Sequence, residues 1–127
     1  MKIVKIEPGK RAYITDIPYT LEDMQKAVGG GLIEQIYISD DPVALICNQE
    51  GKLGGFAPNR VLLKEDNTLR DIIFGPCFIC GLGETDYRDL SDELAEKYLE
   101  KFLLPEQILR INNSWVIFRT ENEFNPE

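Results

Sequence analysis

The polar residues best placed for chemistry are Asn48, which ends an apolar run, and the pair Asn59-Arg60, which follows Gly54-Gly55-Phe56-Ala57-Pro58. A rigid proline followed by an amide and a guanidinium can present a planar polar fork to a carboxylate, a phosphate or a base edge. Asn48, Asn59 and Arg60 are therefore the candidate ligand-binding residues, and a nucleotide or other small anion is the ligand they fit. The competing reading has Arg60 paired with a nearby acid and Asn59 capping a turn.

Cys77-x-x-Cys80 has the spacing of a zinc or redox pair, but zinc needs four ligands, and the chain offers no histidine and only one further cysteine, Cys47. In a strand, side chains three apart point to opposite faces and cannot chelate together. Aliphatic and aromatic neighbours around all three cysteines read as buried structural thiols, and no metal site is expected. The lack of histidine also removes every histidine-based triad or acid–base pair. The carboxylate clusters Asp40-Asp41, Glu65-Asp66 and Glu84/Asp86 lie beside Gly, Pro or Asn and read as turn chemistry. Gly29-Gly30-Gly31 and Gly81-Leu82-Gly83 lack the strand-before, helix-after order of a phosphate loop. The expectation is a protein that is not an enzyme and carries no cofactor.

The elements that must position these residues follow from periodicity. Residues 2–6 and 11–17 alternate aliphatic and polar positions around Pro8-Gly9-Lys10, which predicts a hairpin. Thr20 is a helix N-cap with Asp23 at the capping-box position; Leu21, Met24, Ala27 and Val28 share a face, and three glycines end the helix over 21–28. A strand is expected over 32–39. The unbroken apolar run Val43-Ala44-Leu45-Ile46-Cys47 predicts a central strand covered on both faces. A loop over 54–60 leads to Val61-Leu62-Leu63, and the apolar stretch 72–82 bends at Gly75-Pro76, with Pro76 at an edge position. Ser91 caps the clearest helix, and Leu90 is placed to pack back on it. Its apolar face is Leu94, Ala95, Tyr98, Leu99, Phe102 and Leu103, its wet face carries Glu93, Glu96, Lys97, Glu100 and Lys101, and Pro105 closes it. Residues 108–111 and 115–119 flank Asn112-Asn113-Ser114, a hairpin signal because asparagine tolerates positive φ. The polar end over 121–127 is expected to fray. The expected fold is α+β: an antiparallel or mixed sheet with two helices packed on one face, plus a C-terminal hairpin. Residues 1–104 form a single domain and residues 105–127 an extension.

A chain of 127 residues accommodates one domain, and its 43% apolar content is ordinary for a globular protein. No apolar run approaches the ~20 residues that span a bilayer. The opening alternates charge and aliphatic side chains, unlike a signal peptide. A cytoplasmic protein without membrane contact is expected. The net charge of −8 is uneven: residues 1–64 hold eight basic and eight acidic side chains, residues 65–127 six and fourteen. An acidic half repels phosphate backbones, so no direct nucleic-acid binding is expected, while a basic protein partner remains compatible.

Five short motifs stand in order: Glu7-Pro8-Gly9-Lys10, Val28-Gly29-Gly30, Ala44-Leu45-Ile46-Cys47-Asn48-Gln49-Glu50-Gly51-Lys52, Pro58-Asn59-Arg60 and Leu90-Ser91-Asp92-Glu93. With them the chain resembles the Domain of Unknown Function 3846 family, small proteins of bacteria, their phages and other mobile elements. The resemblance runs over residues 2–103 and implies neither an established activity nor catalytic residues. It implies a setting in which small proteins act by occupying a host defence protein, a signalling nucleotide or a replication component. The tail from Pro105 lies outside it.

Two functional expectations result. In the first, a non-catalytic phage or mobile-element protein binds and modulates a host protein, such as one of a defence system. Trp115 and Phe118 in the tail, with Phe124 beyond them, would anchor the interface, and Glu96 and Glu100 on the acidic helix would border it. In the second, Asn48, Asn59 and Arg60 capture or sequester a small anion.

Overall fold

The computed structural model describes residues 1–119. The opening hairpin pairs β1 (Lys2–Ile6) with β2 (Tyr13–Asp16). In α1 (Leu21–Ala27) the Thr20 hydroxyl accepts the Asp23 amide at 3.0 Å, and donates in turn to the Asp23 carboxylate at 2.6 Å. Asp23 therefore satisfies the cap's hydroxyl rather than its backbone N–H. Gly29, Gly30 and Gly31 follow at φ of +94°, +95° and +91°, a region that side chains rarely enter, and they turn the chain off the helix.

Next come β3 (Ile33–Ile36), β4 (Val43–Asn48), β5 (Pro58–Leu63), β6 (Leu69–Phe74), β7 (Cys77–Leu82) and the short β8 (Tyr87–Arg88). Ser91 caps α2 (Asp92–Phe102) by accepting the Leu94 amide at 3.2 Å. The last hairpin, β9 (Glu106–Ile111) with β10 (Ser114–Arg119), turns through Asn112 and Asn113 at φ of 51° and 66°. The end expected to fray, 121–127 with Phe124, lies outside the described residues. Among the described residues no helix is long and apolar enough to cross a membrane.

The main sheet is antiparallel, in the order β2-β1-β7-β4-β3, with β8 added to β7. All six residues of β4 are buried, as its unbroken apolar run requires. Alternation splits the sheet into two apolar faces. Val4, Ile6, Val43, Leu45, Cys77 and Ile79 pack with Ala95, Tyr98 and Phe102 of α2. On the other face Ile3, Ala44, Ile46, Phe78 and Cys80 pack with Met24 of α1 and with Val28. The α+β class, the antiparallel sheet and the C-terminal hairpin are as expected, but the two helices take opposite faces instead of sharing one. The cause is in the central strands: both faces of β4 and β7 are apolar, so each face needs its own cover. Pro76 also differs from expectation. It stands in the turn ahead of β7, an interior strand, where its missing N–H removes no ladder bond.

The ribbon of β5 and β6 forms a further layer. Leu62 and Ile73 join the core on the α2 side, while Val61 and Ile72 face outward onto Ile108, with Trp115 and Ile117 packed against them. The C-terminal hairpin thus docks on the ribbon, and the Val61 amide donates to Glu106 Oε1 at 2.8 Å.

One polar network ties α2 to the turn before β4. The Asp41 carboxylate accepts Lys97 Nζ at 2.6 Å and the Tyr98 hydroxyl at 2.7 Å. The Lys97 hydrogen bond, then that of Tyr98, holds the Asp41 pKa below its ordinary value; Lys2 does the same for Asp92, and Lys5 for Glu7. A carboxylate depressed on folding contributes stability above its unfolded pKa of roughly 4 and loses it as pH falls through the folded value. Unfolding free energy by urea titration is therefore expected to hold from pH 7 to about 5 and to fall steadily below about 4. Asp41→Asn should flatten that acid limb.

Candidate functional site

Asn59 and Arg60 belong to a strand, not to the loop that the glycines and proline led us to expect. Pro58 pairs with Phe74 and Arg60 with Ile73, which leaves Asn59 as the extra residue of a bulge. The bulge lets two consecutive polar side chains enter the interior, where Asn59 is 0% and Arg60 2% exposed.

Among the described residues, Arg60 meets no carboxylate at hydrogen-bond distance. Its Nε donates to Phe102 O at 3.2 Å, and Nη2 to Phe102 O at 3.0 Å and to Lys10 O at 2.7 Å. Nη1 donates to Asn59 Oδ1 at 2.9 Å, with Asn59 O at 3.3 Å and Glu7 O at 3.5 Å alongside. All five N–H donors of the guanidinium thus have acceptors. Phe102 is the last residue of α2, so the cation closes the negative end of that helix from another strand. Burial pushes the Arg60 pKa down, and the field of Glu106 opposes that shift. Asn59 Nδ2 donates to Ile6 O at 3.0 Å and Gly75 O at 2.8 Å. The pair binds β5 to the first hairpin, to the turn before β7 and to the end of α2.

Asn48 does the same work for α1. Its Nδ2 donates to Val28 O at 3.0 Å and, by a shorter bond, to Gly30 O, while Oδ1 accepts the Glu50 amide at 2.9 Å. It therefore holds the carbonyls that the glycine turn leaves without helical partners. Asn48 works on the α1 face and Asn59-Arg60 on the α2 side, so the three do not meet in one site, and their donors are engaged within the protein. Asn48→Ala is expected to lower stability by about 1–3 kcal/mol, because it strips the buried Val28 carbonyl and the half-buried Gly30 carbonyl of their donor. Urea denaturation checks this.

Of the four residues expected at an interface, Glu96 and Glu100 are exposed on α2. Trp115 and Phe118 are parted. Trp115 turns inward, edge-on to Phe74 with ring centroids 6.0 Å apart, and the Arg110 guanidinium stands 4.9 Å from its ring. Phe118, three residues on, faces outward and is 52% exposed. The register places Leu109 opposite Val116, Ile111 opposite Ser114 and Gln107 opposite Phe118 on that outer face. Leu109, Ile111 and Phe118 are exposed there and Val116 is half-buried, so the hairpin presents an apolar patch that nothing in the described chain covers. The signal was in the sequence: Trp115-Val116-Ile117-Phe118 is apolar at consecutive positions, hence on both faces, and only one face has a cover.

The cysteines behave as expected. Cys77 faces the α2 side of the sheet and Cys80 the α1 side. Burial pushes the thiols of Cys47, Cys77 and Cys80 up to about 12. Among the described residues no group of three or more His, Cys, Asp or Glu side chains could hold a metal ion.

One cleft of about 570 Å³ opens between the β5–β6 ribbon, the end of α2 and the start of the last hairpin. Arg60 and Glu100 both border it, and so do Lys64, Arg70, Lys101 and Arg119, which sequence reasoning passed over. Those four come from separate elements, and no local motif announces their convergence.

No curated protein and no solved structure matches the chain. The family described as Domain of unknown function (DUF3846) matches residues 1–103, every element through α2 but not the last hairpin, and the chain belongs to that family.

Proposed function

We propose that this is a non-catalytic binding protein that engages a partner protein through the outer face of its C-terminal hairpin. The observation that carries the reading is the patch of Leu109, Ile111, Val116 and Phe118, on an element outside the family-matched residues. An exposed apolar strip that ends on an aromatic has the composition of an interface core. The chain's own charge selects the kind of occupant. Two copies at −8 each repel one another, whereas a partner whose apolar surface is ringed by lysine and arginine is attracted. In the bacterial, phage and mobile-element setting that the resemblance implies, the partner is a host protein of the cytoplasm, such as a defence component, and binding modulates it.

The hairpin also covers Val61 and Ile72, so deleting residues 105–127 would disturb the ribbon as well as the patch. Hydrogen–deuterium exchange of the intact chain with and without its co-purified partner is the sounder test. Slowed exchange over 107–118 is expected. Protection confined to the α1 face would overturn the reading.

A further inference from the structure

We infer that the cleft between the β5–β6 ribbon and the end of α2 is a binding site for a phosphate-bearing small molecule, separate from the hairpin's outer face. Five cationic side chains border it, Arg60, Lys64, Arg70, Lys101 and Arg119, against three carboxylates, Glu65, Glu100 and Glu106. A local excess of positive charge stands out in a chain whose net charge is −8.

The engaged charges separate from the available ones. Arg119 Nε pairs with Glu106 Oε2 at 2.9 Å, and the other oxygen of Glu106 accepts the Val61 amide. Arg60, buried at the cleft wall, contributes its field without a free donor, and among the described residues no carboxylate lies within hydrogen-bond distance of it. Lys64 and Lys101 form no ion pair among the described residues, and Lys101 instead lies 5.7 Å from the Phe102 ring centre. Arg70 uses Nη2 on Tyr37 O at 2.9 Å, which leaves the rest of its fork available. Three cations from three elements, with a buried fourth behind them, can share the several oxygens of a phosphate in a way that one carboxylate would not satisfy.

Size and field narrow the ligand further. A volume of about 570 Å³ lies within the range of small-molecule sites, and Ile38, Leu62 and Phe102 supply apolar wall beside the charges. A nucleic-acid strand would have to approach a chain of net charge −8, whereas a mononucleotide or sugar phosphate is small enough for the cleft.

The test is isothermal titration of the full chain at low ionic strength with three probes: pyrophosphate, ribose 5-phosphate and adenosine monophosphate. Saturable one-to-one binding of at least one probe is expected. Binding of adenosine monophosphate alone would identify a nucleotide site, and binding of all three a general phosphate site. The double substitution Lys64→Gln with Lys101→Gln should weaken binding about tenfold or more while leaving the thermal midpoint near that of the unsubstituted chain. Lys26→Gln, on α1 across the sheet, should change affinity less than twofold. Absence of binding of every probe at millimolar concentration, or equal losses in the cleft and α1 variants, would overturn the inference.

Discussion

Replacing Arg60 with lysine is expected to destabilise the domain by about 3–5 kcal/mol, a large share of the roughly 5–15 kcal/mol that holds a domain of this size together. The conservative charge does not rescue the position, because the position requires geometry. The guanidinium reaches Phe102 O, Lys10 O and Asn59 Oδ1 from three nitrogens in one plane. An ammonium has three donors on a single atom and leaves some of those acceptors buried and unpaired, each at about 1–3 kcal/mol. Arg60→Met, which removes the charge and keeps much of the length, should cost as much or more, since every acceptor then loses its donor. Urea unfolding of both variants measures the effect. A loss below about 1 kcal/mol for the lysine variant would mean that Arg60 is not the tie between α2 and the first hairpin. The same geometry explains why Arg60→Ala is a poor probe of ligand binding: it would unseat the end of α2 before it reported on any ligand.

The second large effect is on binding. Ile111→Lys combined with Phe118→Lys is expected to weaken partner binding about 100-fold or more, with stability changed by about 0.5 kcal/mol or less. Both side chains are exposed, at 47% and 52%, and neither belongs to the ribbon core. Central interface residues can each be worth about 2 kcal/mol or more, and two such losses reach that range even when they do not add fully. The new lysines also oppose a basic partner. Surface plasmon resonance with the co-purified partner reads the loss, and urea unfolding verifies that the fold is kept. Trp115→Ala should behave in the reverse way, lowering stability through the lost Phe74 and Arg110 contacts while acting on affinity only indirectly.

Much of the fold was legible in local pattern. Thr20 and Ser91 announced their helices because capping needs only a short polar side chain at a fixed offset. The run 43–47 announced a strand covered on both faces, and the asparagine pair announced the last turn. The placement of the helices was not read from the pattern, although Ile46, Phe78 and Cys80 on one face and Leu45 and Ile79 on the other already demanded two covers. Asn59 and Arg60 show a different limit. Their residue types suited ligand contact, but a bulge turned both inward, and what decides their role is the position of α2's last carbonyl, forty-two residues away in sequence. The cleft was the least legible feature, since Lys64, Arg70, Lys101 and Arg119 meet only through the packing of ribbon, helix and hairpin.

The proposed docking of a partner protein on the outer face of the last hairpin is read out by native mass spectrometry of the tagged chain recovered gently from host lysate, alongside the Ile111→Lys, Phe118→Lys variant. A second protein in fixed stoichiometry is expected on the unsubstituted chain and is expected to be lost from the variant. The same added protein on both chains, or a complex made only of two copies of the chain itself, would contradict it.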